Sequence, residues 1–544
     1  MLDRRAFITG ATRAAAGVAA TAALGPMAAR AVASPVGEPA YRALVPEIYR
    51  RVPSAPAFSD TIVVGTGFGA AVTALRLGQA GLDVTVLERG SRWPIDPHRA
   101  IFANDVLPDG RGYWRRTVNP VPLTGLHQVP VDSFGGVLEA TEHGDLEVWR
   151  GAGVGGGSLV FTGALVRPER RFFEAVFGST LDHDAMTPYY ARALRGLGGS
   201  PMPSDVVASG PFTHSRVWDA EARRAGYALQ RIDGIWDWDI VRAELRGAVR
   251  PSAIIGESNL GNADGSKNDL RSTYLRQAEA TGRVHIHPRH EVIDIGCDAT
   301  GFVLTVAELA PDATVIRRRT IGCRRLFLGA GSMGTSALLV RARDTGTLPD
   351  LSGAVGEGWG TNGDAALVRG PDLRANGLVQ ASPSATRIVD ESTGTAVSLE
   401  NWYVPGNPVD LSLIGSLGMV LDGTRGRFVL DRSTGQVDLR WPRGGNRDVE
   451  NALRAVHSRI AERSGIGVGA GPLARDVNTR FTAHPLGGVV LGRATDTHGR
   501  VEGYRDLYVV DGALIPGSTG TANPSLTITA LAERNIEAVI AAGG

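Results

Sequence analysis

Residues 61–69 read Thr-Ile-Val-Val-Gly-Thr-Gly-Phe-Gly, and the run Val84–Leu87 ends at the acid Glu88. The apolar residues before the first glycine are typical of a buried strand. Gly65 suits the tight turn after that strand, and Gly67 suits backbone that approaches a pyrophosphate. The acid lies at the distance along the chain where such a fold holds a ribose hydroxyl. The two segments together predict a site for an adenine dinucleotide.

The sequence between these segments supports the same interpretation. Ala70 is small, as close packing of a helix on the strand requires, and the spacing predicts a helix over 70–80 that ends at Gly81. Strand, turn, helix, strand and acid therefore follow one another in the expected order. The alternative is a βαβ unit with no ligand, which requires neither the glycines nor the acid.

Length and composition limit the class of protein. At 544 residues the chain exceeds one ordinary core, so we expect at least two domains. Hydrophobic residues at 43% and charged residues at 21% are typical of a soluble globular protein. The formal net charge is +1, which does not indicate a nucleic-acid partner.

The N-terminus has the features of an export signal. Arg4-Arg5 precedes Phe7, and an Ala/Gly-rich, weakly apolar stretch continues to Leu24. We interpret residues 1–33 as a twin-arginine-type signal peptide, the route taken by proteins that are exported already folded. The mature protein would then be secreted. The alternative is a basic tail with no targeting role.

The chain has two cysteines, Cys297 and Cys323. Folding before export in a reducing cytoplasm disfavours a structural disulfide, although one bridge between them stays open. Cys323 precedes an apolar run and is more typical of a buried small hydrophobe than of a nucleophile. Neither cysteine is near a histidine cluster, so we expect no metal site.

The pattern of apolar residues predicts an α/β (α+β overall) fold built from two domains. Arg325–Ser332 is a strand ending in small residues, and Leu507–Val510 with a helix over 527–541 returns to the same sheet. Residues 395–442 alternate apolar and polar, which predicts a separate antiparallel sheet. The division is a 34–56 leader, a discontinuous Rossmann-like dinucleotide-binding domain (57–96, 267–365, 485–544) and a mainly antiparallel-sheet substrate-binding domain (97–266, 366–484).

Three further segments carry predictions about local structure. The sequence after Glu88 is irregular through residue 145, which is typical of an inserted functional segment. Gly151–Ser158 holds five glycines and predicts a buried loop against a flat or charged ligand, with a flexible surface loop as the alternative. Further along, the sequence predicts helices over 266–280 and 335–343, and strands over 284–286, 291–294, 302–309 and 314–320.

Several motifs resemble the glucose–methanol–choline (GMC) flavin oxidoreductases, and among them the bacterial cholesterol oxidases with non-covalent FAD. The matching segments are Gly65–Ala71, Gly153–Val160, Leu326–Pro349, His484–Gly488, Asp511–Ser518 and Asn523–Asn535. The resemblance runs from about residue 58 to the C-terminus. It is strongest in the nucleotide-binding segments and thin over 97–145, 195–265 and 370–475.

The resemblance implies FAD at the first motif. It implies Phe68 and Gly69 at the pyrophosphate, Glu88 at the adenosine ribose and Val292 at the adenine. The full set of expected cofactor contacts is Gly65, Gly67, Phe68, Gly69, Glu88, Gly153, Gly157, Phe161, Thr162, Ala164, Val292, Ala330, Asp511, Gly512 and Ser525. No histidine lies within 151–163, where some relatives attach the flavin covalently, so we expect dissociable FAD.

Three residues are candidates for catalysis. His484 suits proton abstraction from an alcohol, because neutral imidazole accepts a proton at ordinary pH. Asn523 matches the family's second polar group above the flavin, where its amide supports developing charge. Glu400 matches a carboxylate that isomerises the steroid double bond in cholesterol oxidases. The alternatives are a structural histidine, a helix N-terminal asparagine and an exposed strand carboxylate.

The sequence departs from the family pattern at positions near the flavin and the substrate. Ser398 and Ser525 stand where relatives tend to have Phe, and Ala483 replaces Tyr. Phe161–Ala164 replaces Asn-Gly-Gly-Met. FAD binding and His/Asn chemistry tolerate these changes, whereas sterol specificity and oxygen reactivity depend on them.

The resemblance implies oxidation of a 3β-hydroxysteroid to the ketone, with hydride transfer to FAD, reduction of dioxygen to peroxide, and isomerisation from Δ5 to Δ4. The partners would be a sterol-like alcohol, dioxygen and, transiently, a membrane surface contacted by the 93–130 loops through residues such as Trp93 and Trp114. We expect a monomer. The alternatives are a GMC dehydrogenase of another bulky secondary alcohol with a non-oxygen acceptor, and an exported flavin-bearing lipid-binding protein without turnover.

Overall fold

The computed structural model describes residues 37–104, 108–119, 130–405, 410–465, 477–478 and 480–543. The predicted signal peptide lies outside the described residues. The strands are β1 Phe58–Val64, β2 Val84–Leu87, β3 Leu138–His143, β4 Leu146–Gly151, β5 Ala164–Leu165, β6 Ser200–Pro201, β7 Gln230–Arg231, β8 Asp233–Gly234, β9 Val284–His287, β10 His290–Asp298, β11 Gly301–Leu309, β12 Val315–Leu328, β13 Ala365–Arg369, β14 Thr386–Asp390, β15 Val397–Trp402, β16 Ile414–Val420, β17 Arg427–Asp431, β18 Gln436–Arg440, β19 Val477–Asn478, β20 Phe481–Thr482 and β21 Leu507–Val509.

The helices connect and cover these strands. They are α1 Glu38–Leu44, α2 Phe68–Gln79, α3 Arg170–Phe177, α4 Thr187–Gly196, α5 Ser204–Val207, α6 Thr213–Arg224, α7 Trp238–Leu245, α8 Tyr274–Ala280, α9 Gly331–Thr345, α10 Arg447–Ser464 and α11 Pro524–Ala541. No helix in this part of the chain is long and apolar enough to cross a membrane.

A seven-stranded sheet forms the first layer of the fold. Its strand order is β10-β11-β12-β1-β2-β9, and β21 pairs with β12. The pairs that involve β1, β2, β9 and β21 are parallel, whereas β10, β11 and the first half of β12 form an antiparallel extension. This is the mixed α/β fold with an open nucleotide-binding sheet that the sequence predicts, and the fold class is confirmed.

Small side chains allow the helices to pack closely on this sheet. Ala70, Ala71 and Ala74 on α2 are fully buried beside Ile62 and Val63 of β1 in one apolar core. Helix α11 joins the same core through residues such as Leu531 and Ile536. The core therefore fixes the start of α2 and the start of α11, which both reach the carboxyl edge of the parallel strands.

A six-stranded antiparallel sheet forms the second layer, in the order β19-β13-β16-β15-β14-β7. Its registers align Arg387, Glu400, Leu417 and Ala366 as one row across four strands. Side chains one position along each strand point to the other face and pack on α6 and α10, as Leu399 does. One face of the sheet is thus closed by helices, and the row above lies on the opposite face.

The predicted helix over 266–280 begins only at Tyr274, so its first half is wrong. The Lys267 ammonium is fully buried and donates to the carbonyls of Leu159, Phe161 and Ser258 at 2.8–2.9 Å. The Asp269 carboxylate accepts from the backbone and guanidinium of Arg271. These bonds fix an irregular backbone before the helix, and burial lowers the pKa of Lys267 to about 7.

The alternating segment 395–442 does not form a single sheet as predicted. Strands β15 and β16 lie in the six-stranded sheet, whereas β17 and β18 form a separate hairpin. Phe428 and Leu439 of this hairpin are buried in the core of the first layer with Leu339 of α9. Period-two alternation shows that one face is buried, but it does not show which neighbour buries that face.

The expectation that Trp93 and Trp114 contact a membrane is wrong. Both side chains are buried, with exposed fractions of 1% and 4%. Trp93 packs in a small core with Tyr41 of α1, so the leader folds against the segment after Glu88. That segment is also less irregular than predicted, because β3 lies within it. The two cysteines are free thiols, with Cys297 exposed and Cys323 buried.

A pair of buried carboxyl groups holds the loop between α7 and α8. Glu244 accepts from the backbone amides of Ser252, Ala253 and Ile254 at 2.8–3.2 Å. Burial and the neighbouring charge of Asp264 raise the pKa of Glu244 to about 8. Oδ1 of Asp264 accepts from Ser266, and Oδ2 is buried without a hydrogen-bond partner. The pair retains a proton that the unfolded chain releases near pH 4.

This pair predicts a stabilising substitution, Asp264→Asn. A raised carboxyl pKa lowers the free energy of unfolding as pH increases from the unfolded pKa to the folded one. An asparagine amide facing Glu244 removes the second charge and donates to the carboxylate instead. We expect Asp264→Asn to raise the free energy of unfolding by about 1–3 kcal/mol at pH 8. The gain should be smaller at pH 5.

Thermal unfolding at several pH values measures this effect. Asp145→Asn, in an exposed turn, is the matched control and should leave Tm unchanged. An Asp264→Asn protein whose Tm relative to wild type does not increase with pH would contradict the shared proton.

Candidate active site

A cavity of about 530 Å³ lies between the two sheets. Segments from both layers line it: the Gly-rich turn after β1, the end of β2, the 156–162 loop, the start of α9, β15, β16 and the start of α11. The cavity therefore joins the predicted nucleotide site to the row on the antiparallel sheet that contains Arg387, Glu400 and Leu417.

Two glycines of the Gly-rich turn, Gly65 and Gly69, are packed on backbone with no room for a side chain, whereas a Cβ on Gly67 would meet nothing within 4 Å. A Cβ on Gly65, where φ is +90°, would lie 2.2 Å from the Gly329 carbonyl oxygen. A Cβ on Gly69 would lie 1.5 Å from the oxygen of Val510. No side chain caps the N-terminus of α2, whose first residue is Phe68. The first amides of α2 are thus suited to an anion such as a pyrophosphate.

Glu88 lies at the end of β2 and lines the cavity. Its carboxylate accepts from the Thr66 hydroxyl at 2.6 Å and from the amides of Gly90 and Gly153 at 2.9 and 3.3 Å. Burial raises its pKa. The acid therefore ties the first Gly-rich turn to the second, and it keeps its position beside the cavity.

The second Gly-rich loop contacts the first through close backbone packing and through the Thr66 hydroxyl, which donates to the Gly153 carbonyl at 3.2 Å and accepts from the Gly155 amide at 3.0 Å. Gly153, Gly155 and Gly156 all have positive φ, and a Cβ on Gly156 would lie 2.7 Å from the Gly67 Cα. Gly157 lines the cavity. The sequence predicts this segment as a buried loop, and Gly153 and Gly155 are buried.

Asp511 organises the loop after β12. Its carboxylate accepts from the Thr335 hydroxyl at 2.5 Å and from the amides of Gly331 and Ala513 at 2.8 Å. Burial raises its pKa to about 6. Asp511 thereby joins the start of α9 to the segment that precedes α11, and Gly512 beside it lines the cavity.

His484 follows β20 and lines the opposite part of the cavity. Its backbone amide donates to the Thr482 hydroxyl at 2.9 Å, and its Nδ1 lies 3.4 Å from Oδ2 of Asp364. The Ala483 amide donates to the same oxygen at 2.8 Å. A buried carboxylate and two local hydrogen bonds thus hold the imidazole at the cavity wall.

Glu400 and Asn523 meet across the two layers. The Asn523 amide donates to Oε2 of Glu400 at 3.3 Å, and it makes no side-chain cap for α11. The Glu400 side chain is fully buried, which excludes the exposed strand carboxylate considered above. Oε1 of Glu400 and Oδ1 of Asn523 are buried without a hydrogen-bond partner. Both groups therefore retain acceptor capacity beside the cavity.

The electrostatic surroundings of Glu400 favour its protonated form at neutral pH. Burial raises its pKa to about 7, although the neighbouring Arg387 guanidinium and the Asn523 amide lower it. The nearby Asp364 adds to the increase. A carboxyl group that titrates near pH 7 can both accept and return a proton.

Residues 434–532 match the GMC oxidoreductase family. This segment is therefore similar to the C-terminal domain of GMC oxidoreductases. This GMC domain supplies His484, Asp511, Asn523 and Ser525, so one wall of the cavity belongs to it.

Relatives of known name match far more of the chain than this domain. A cholesterol oxidase of Mycobacterium tuberculosis (strain CDC 1551 / Oshkosh) is 27% identical over 87% of this chain and 90% of its own length. A cholesterol oxidase of Acinetobacter baumannii is 26% identical over 87% of this chain and 93% of its own length. The predicted resemblance to cholesterol oxidases is therefore confirmed as a similarity of sequence.

Solved structures share the fold at lower identity. Pyridoxine 4-oxidase from Mesorbium loti has a TM-score of 0.58 at 16% identity, covering 89% of this chain and 99% of that one. A fungal aryl-alcohol oxidase has a TM-score of 0.61 at 15% identity, covering 90% of this chain and 100% of that one. These likenesses support the two-layer architecture and nothing finer.

Most of the predicted site residues surround the one cavity. Those that line it are Gly65, Gly67, Phe68, Gly69, Glu88, Gly157, Phe161, Thr162, Val292, Ala330, His484, Asp511, Gly512, Asn523 and Ser525. Three predicted residues do not line the cavity, but each contacts a residue that does: Gly153, Ala164 and Glu400. Gly153 bonds to Glu88, the Ala164 carbonyl accepts from Ser525 at 3.2 Å, and Glu400 bonds to Asn523.

Sequence reasoning missed several residues of the site, notably Asp364, Arg387, Trp402 and Leu417. Asp364 follows a Gly-rich stretch and precedes a strand, so an acid at a strand end was the available signal. Arg387 faces Glu400 only through the register of β14 and β15. Among the described residues, no group of three or more His, Cys, Asp or Glu side chains could hold a metal ion.

Proposed function

We propose that this protein is an FAD-dependent oxidase that converts a 3β-hydroxysteroid to the 3-ketosteroid. The observation that carries the proposal is that His484 and Asn523 line a cavity that the two Gly-rich turns also line, with Glu400 bonded to Asn523 directly behind the wall. The similarity to cholesterol oxidases supports the substrate class.

The residues present fit FAD, the cofactor of GMC oxidoreductases. Gly65 and Gly69 pack on backbone, and Gly67 faces open space at the cavity, so the turn leaves a groove without side chains. The first amides of α2 suit the pyrophosphate. Glu88 stands at the strand end where a ribose diol is held. The described histidines at the cavity wall are His290 and His484. Ala55 donates to Nε2 of His290, which supports a non-covalent cofactor.

The chemistry of the chain's own residues follows from their positions. FAD, when bound, accepts the hydride from the carbinol carbon. His484 takes the hydroxyl proton, and Asn523 supports the negative charge that develops as the carbon–oxygen bond shortens. The apolar parts of Trp402, Leu417 and Phe481 keep water from the reacting carbon.

Glu400 would then isomerise the double bond from Δ5 to Δ4. A carboxylate beside the steroid removes a proton from the carbon next to the new ketone and returns it two carbons away. This role requires a group that is ionised for the first step and protonated for the second, which agrees with a pKa of about 7.

We also propose that the protein is secreted through the twin-arginine route. The support is the Arg4-Arg5 signal together with a cofactor fold that must assemble before export. Cleavage of the signal in a periplasmic or culture-medium fraction, detected by N-terminal sequencing, tests this. An uncleaved cytoplasmic protein would contradict it.

Anaerobic mixing of the purified protein with cholesterol tests the main proposal. We expect the visible flavin band to bleach, and to return with peroxide when air is admitted. Bleaching that air does not reverse would favour a dehydrogenase that uses another electron acceptor. The observation in favour of that alternative is Ser398, whose buried hydroxyl has no hydrogen-bond partner and stands where the family tends to have Phe. No bleaching with any secondary alcohol would exclude the oxidoreductase.

A further inference from the structure

His484 is held on both sides by one segment, residues 360–364, which leads into strand β13. The Ala483 amide, just before it, donates to the Asp364 carboxylate. Leu486, two places after it, exchanges two backbone hydrogen bonds with Gly360, at 2.8 and 3.1 Å. The Thr482 hydroxyl donates to the Thr361 carbonyl at 3.0 Å. The backbone of His484 therefore has little freedom, and the direction of its ring depends on what its two nitrogens meet.

The two ring nitrogens have different surroundings. Nδ1 is buried without a hydrogen-bond partner, and the charged group beside it is the Asp364 carboxylate, whose Oδ2 lies 3.4 Å away and is itself shielded from solvent. His484 lines the cavity, which leaves Nε2 as the nitrogen that reaches it. A carboxylate accepts hydrogen bonds and cannot donate one, so the proton of the neutral ring belongs on Nδ1.

We propose that Asp364 is a positioning residue, which keeps the proton of His484 on Nδ1 so that Nε2 faces the cavity free to accept the substrate's hydroxyl proton. The inference rests on the proposed function for its substrate, but not for its geometry. In the reaction the O–H bond breaks and the proton moves to Nε2, while the hydride leaves the carbinol carbon for FAD. The resulting imidazolium is balanced by the Asp364 carboxylate.

The charged groups around this pair are few. Glu400 lies behind Asn523, and Arg387 lies beside Glu400 on the next strand. Burial raises the pKa of Asp364, whereas His484 and the Ala483 amide lower it. Because Glu400 also titrates in this region, the effect of Asp364 is best measured in a Glu400→Gln background.

Asp364→Asn tests the proposal with little change of shape. Oδ2 of Asp364 accepts from the Ala483 amide and also faces Nδ1, so an asparagine that keeps the Ala483 bond presents an uncharged oxygen to Nδ1. The preference for a proton on Nδ1 is then weaker. In the Glu400→Gln background we expect kcat for flavin reduction to fall about 10- to 100-fold, with KM within about two-fold. The acidic limb of kcat should move to lower pH by about one unit, because a negative charge beside the imidazole is lost.

Two matched variants separate this role from a structural one. Thr482→Val removes a hydroxyl that holds the same backbone and lies 3.4 Å from Oδ2 of Asp364, but it leaves the carboxylate in place, so its acidic limb should move much less than that of Asp364→Asn. Asp410→Asn changes another buried carboxylate, whose partners include Gly377 and Gln380, and should alter neither rate nor limb. If Thr482→Val reproduces the shift of Asp364→Asn, or if Asp364→Asn leaves kcat and the limb unchanged, the proposal is overturned.

A spectroscopic measurement keeps the inference testable without a substrate. In protein labelled with ¹⁵N-histidine, the His484 signals are assigned by their loss in His484→Gln. We expect a protonated Nδ1 and a bare Nε2 in the wild type, and a larger share of the other tautomer in Asp364→Asn. The same tautomer populations in both would overturn the proposal. Failure of cholesterol to bleach the flavin would contradict the proposed function alone.

Discussion

Replacing His484 by glutamine should slow reduction of the flavin by substrate roughly 10²- to 10⁴-fold, the range expected when a general base is lost. Glutamine has similar size and can still hydrogen-bond to the substrate oxygen, but it cannot accept the hydroxyl proton. The bound cofactor should be unaffected, because the contacts predicted to hold it come from the Gly-rich turns, Glu88 and Asp511. Anaerobic stopped-flow measurement of the flavin band gives the rate constant directly.

A second histidine provides the control for this variant. His285 lies on β9 with its side chain exposed, and it does not line the cavity. His285→Gln should therefore reduce at the wild-type rate. If flavin reduction in His484→Gln is slowed by less than about ten-fold, a group other than His484 accepts the substrate's hydroxyl proton. A lipid-binding protein without turnover would lose nothing in either variant.

The nucleotide end of the site could be predicted from sequence because its signals are local. Gly65, Gly67 and Glu88 act through one strand–turn–helix–strand unit, in which spacing along the chain fixes spacing in space. The structure adds that Glu88 is bound by Thr66 and by amides of the second Gly-rich loop. That contact joins segments far apart in sequence, and no local pattern encodes it.

The substrate end was less predictable because its geometry depends on pairing between strands. Alternation in β15 predicts that Glu400 and Leu399 point to opposite faces, but not which face meets the cavity. Only the register with β14 and β16 places Arg387 and Leu417 beside the acid. Asp364 likewise approaches His484 through tertiary contact, so a single sequence gave no reason to pair them.

Two predictions failed where burial of particular side chains overrode the local pattern. The segment that holds Trp93 and Trp114 has no periodic pattern, so the sequence did not predict whether these side chains are buried or exposed. Both are packed in cores. Residues 266–273 resemble the start of a helix, yet the Lys267 ammonium is bound by three carbonyls of other loops. Such bonds make a different backbone more stable than the helix.

Replacing Glu400 by glutamine should separate the two reactions proposed for this site. Oxidation depends on His484 and Asn523, and the glutamine amide can still pair with the unpartnered Oδ1 of Asn523. Isomerisation depends on a carboxylate that moves a proton, which glutamine cannot do. We expect the Δ5-3-ketone to accumulate, with isomerisation slowed about 10²- to 10⁴-fold. The ultraviolet band of the conjugated enone distinguishes the two products.

The pH dependence of isomerisation provides the second part of this prediction. The first step requires the ionised carboxylate, and the pKa of Glu400 is raised to about 7 by burial. The wild-type rate of isomerisation should therefore increase as pH rises through about 7 and then level off, and this limb should be absent in Glu400→Gln. Glu279→Gln, at a surface pair with Arg92, is the matched control and should keep the limb. If Glu400→Gln forms the conjugated product at the wild-type rate, the proton moves through solvent instead. Glu400 would then be only a buried partner of Asn523 and Arg387, with no part in the chemistry.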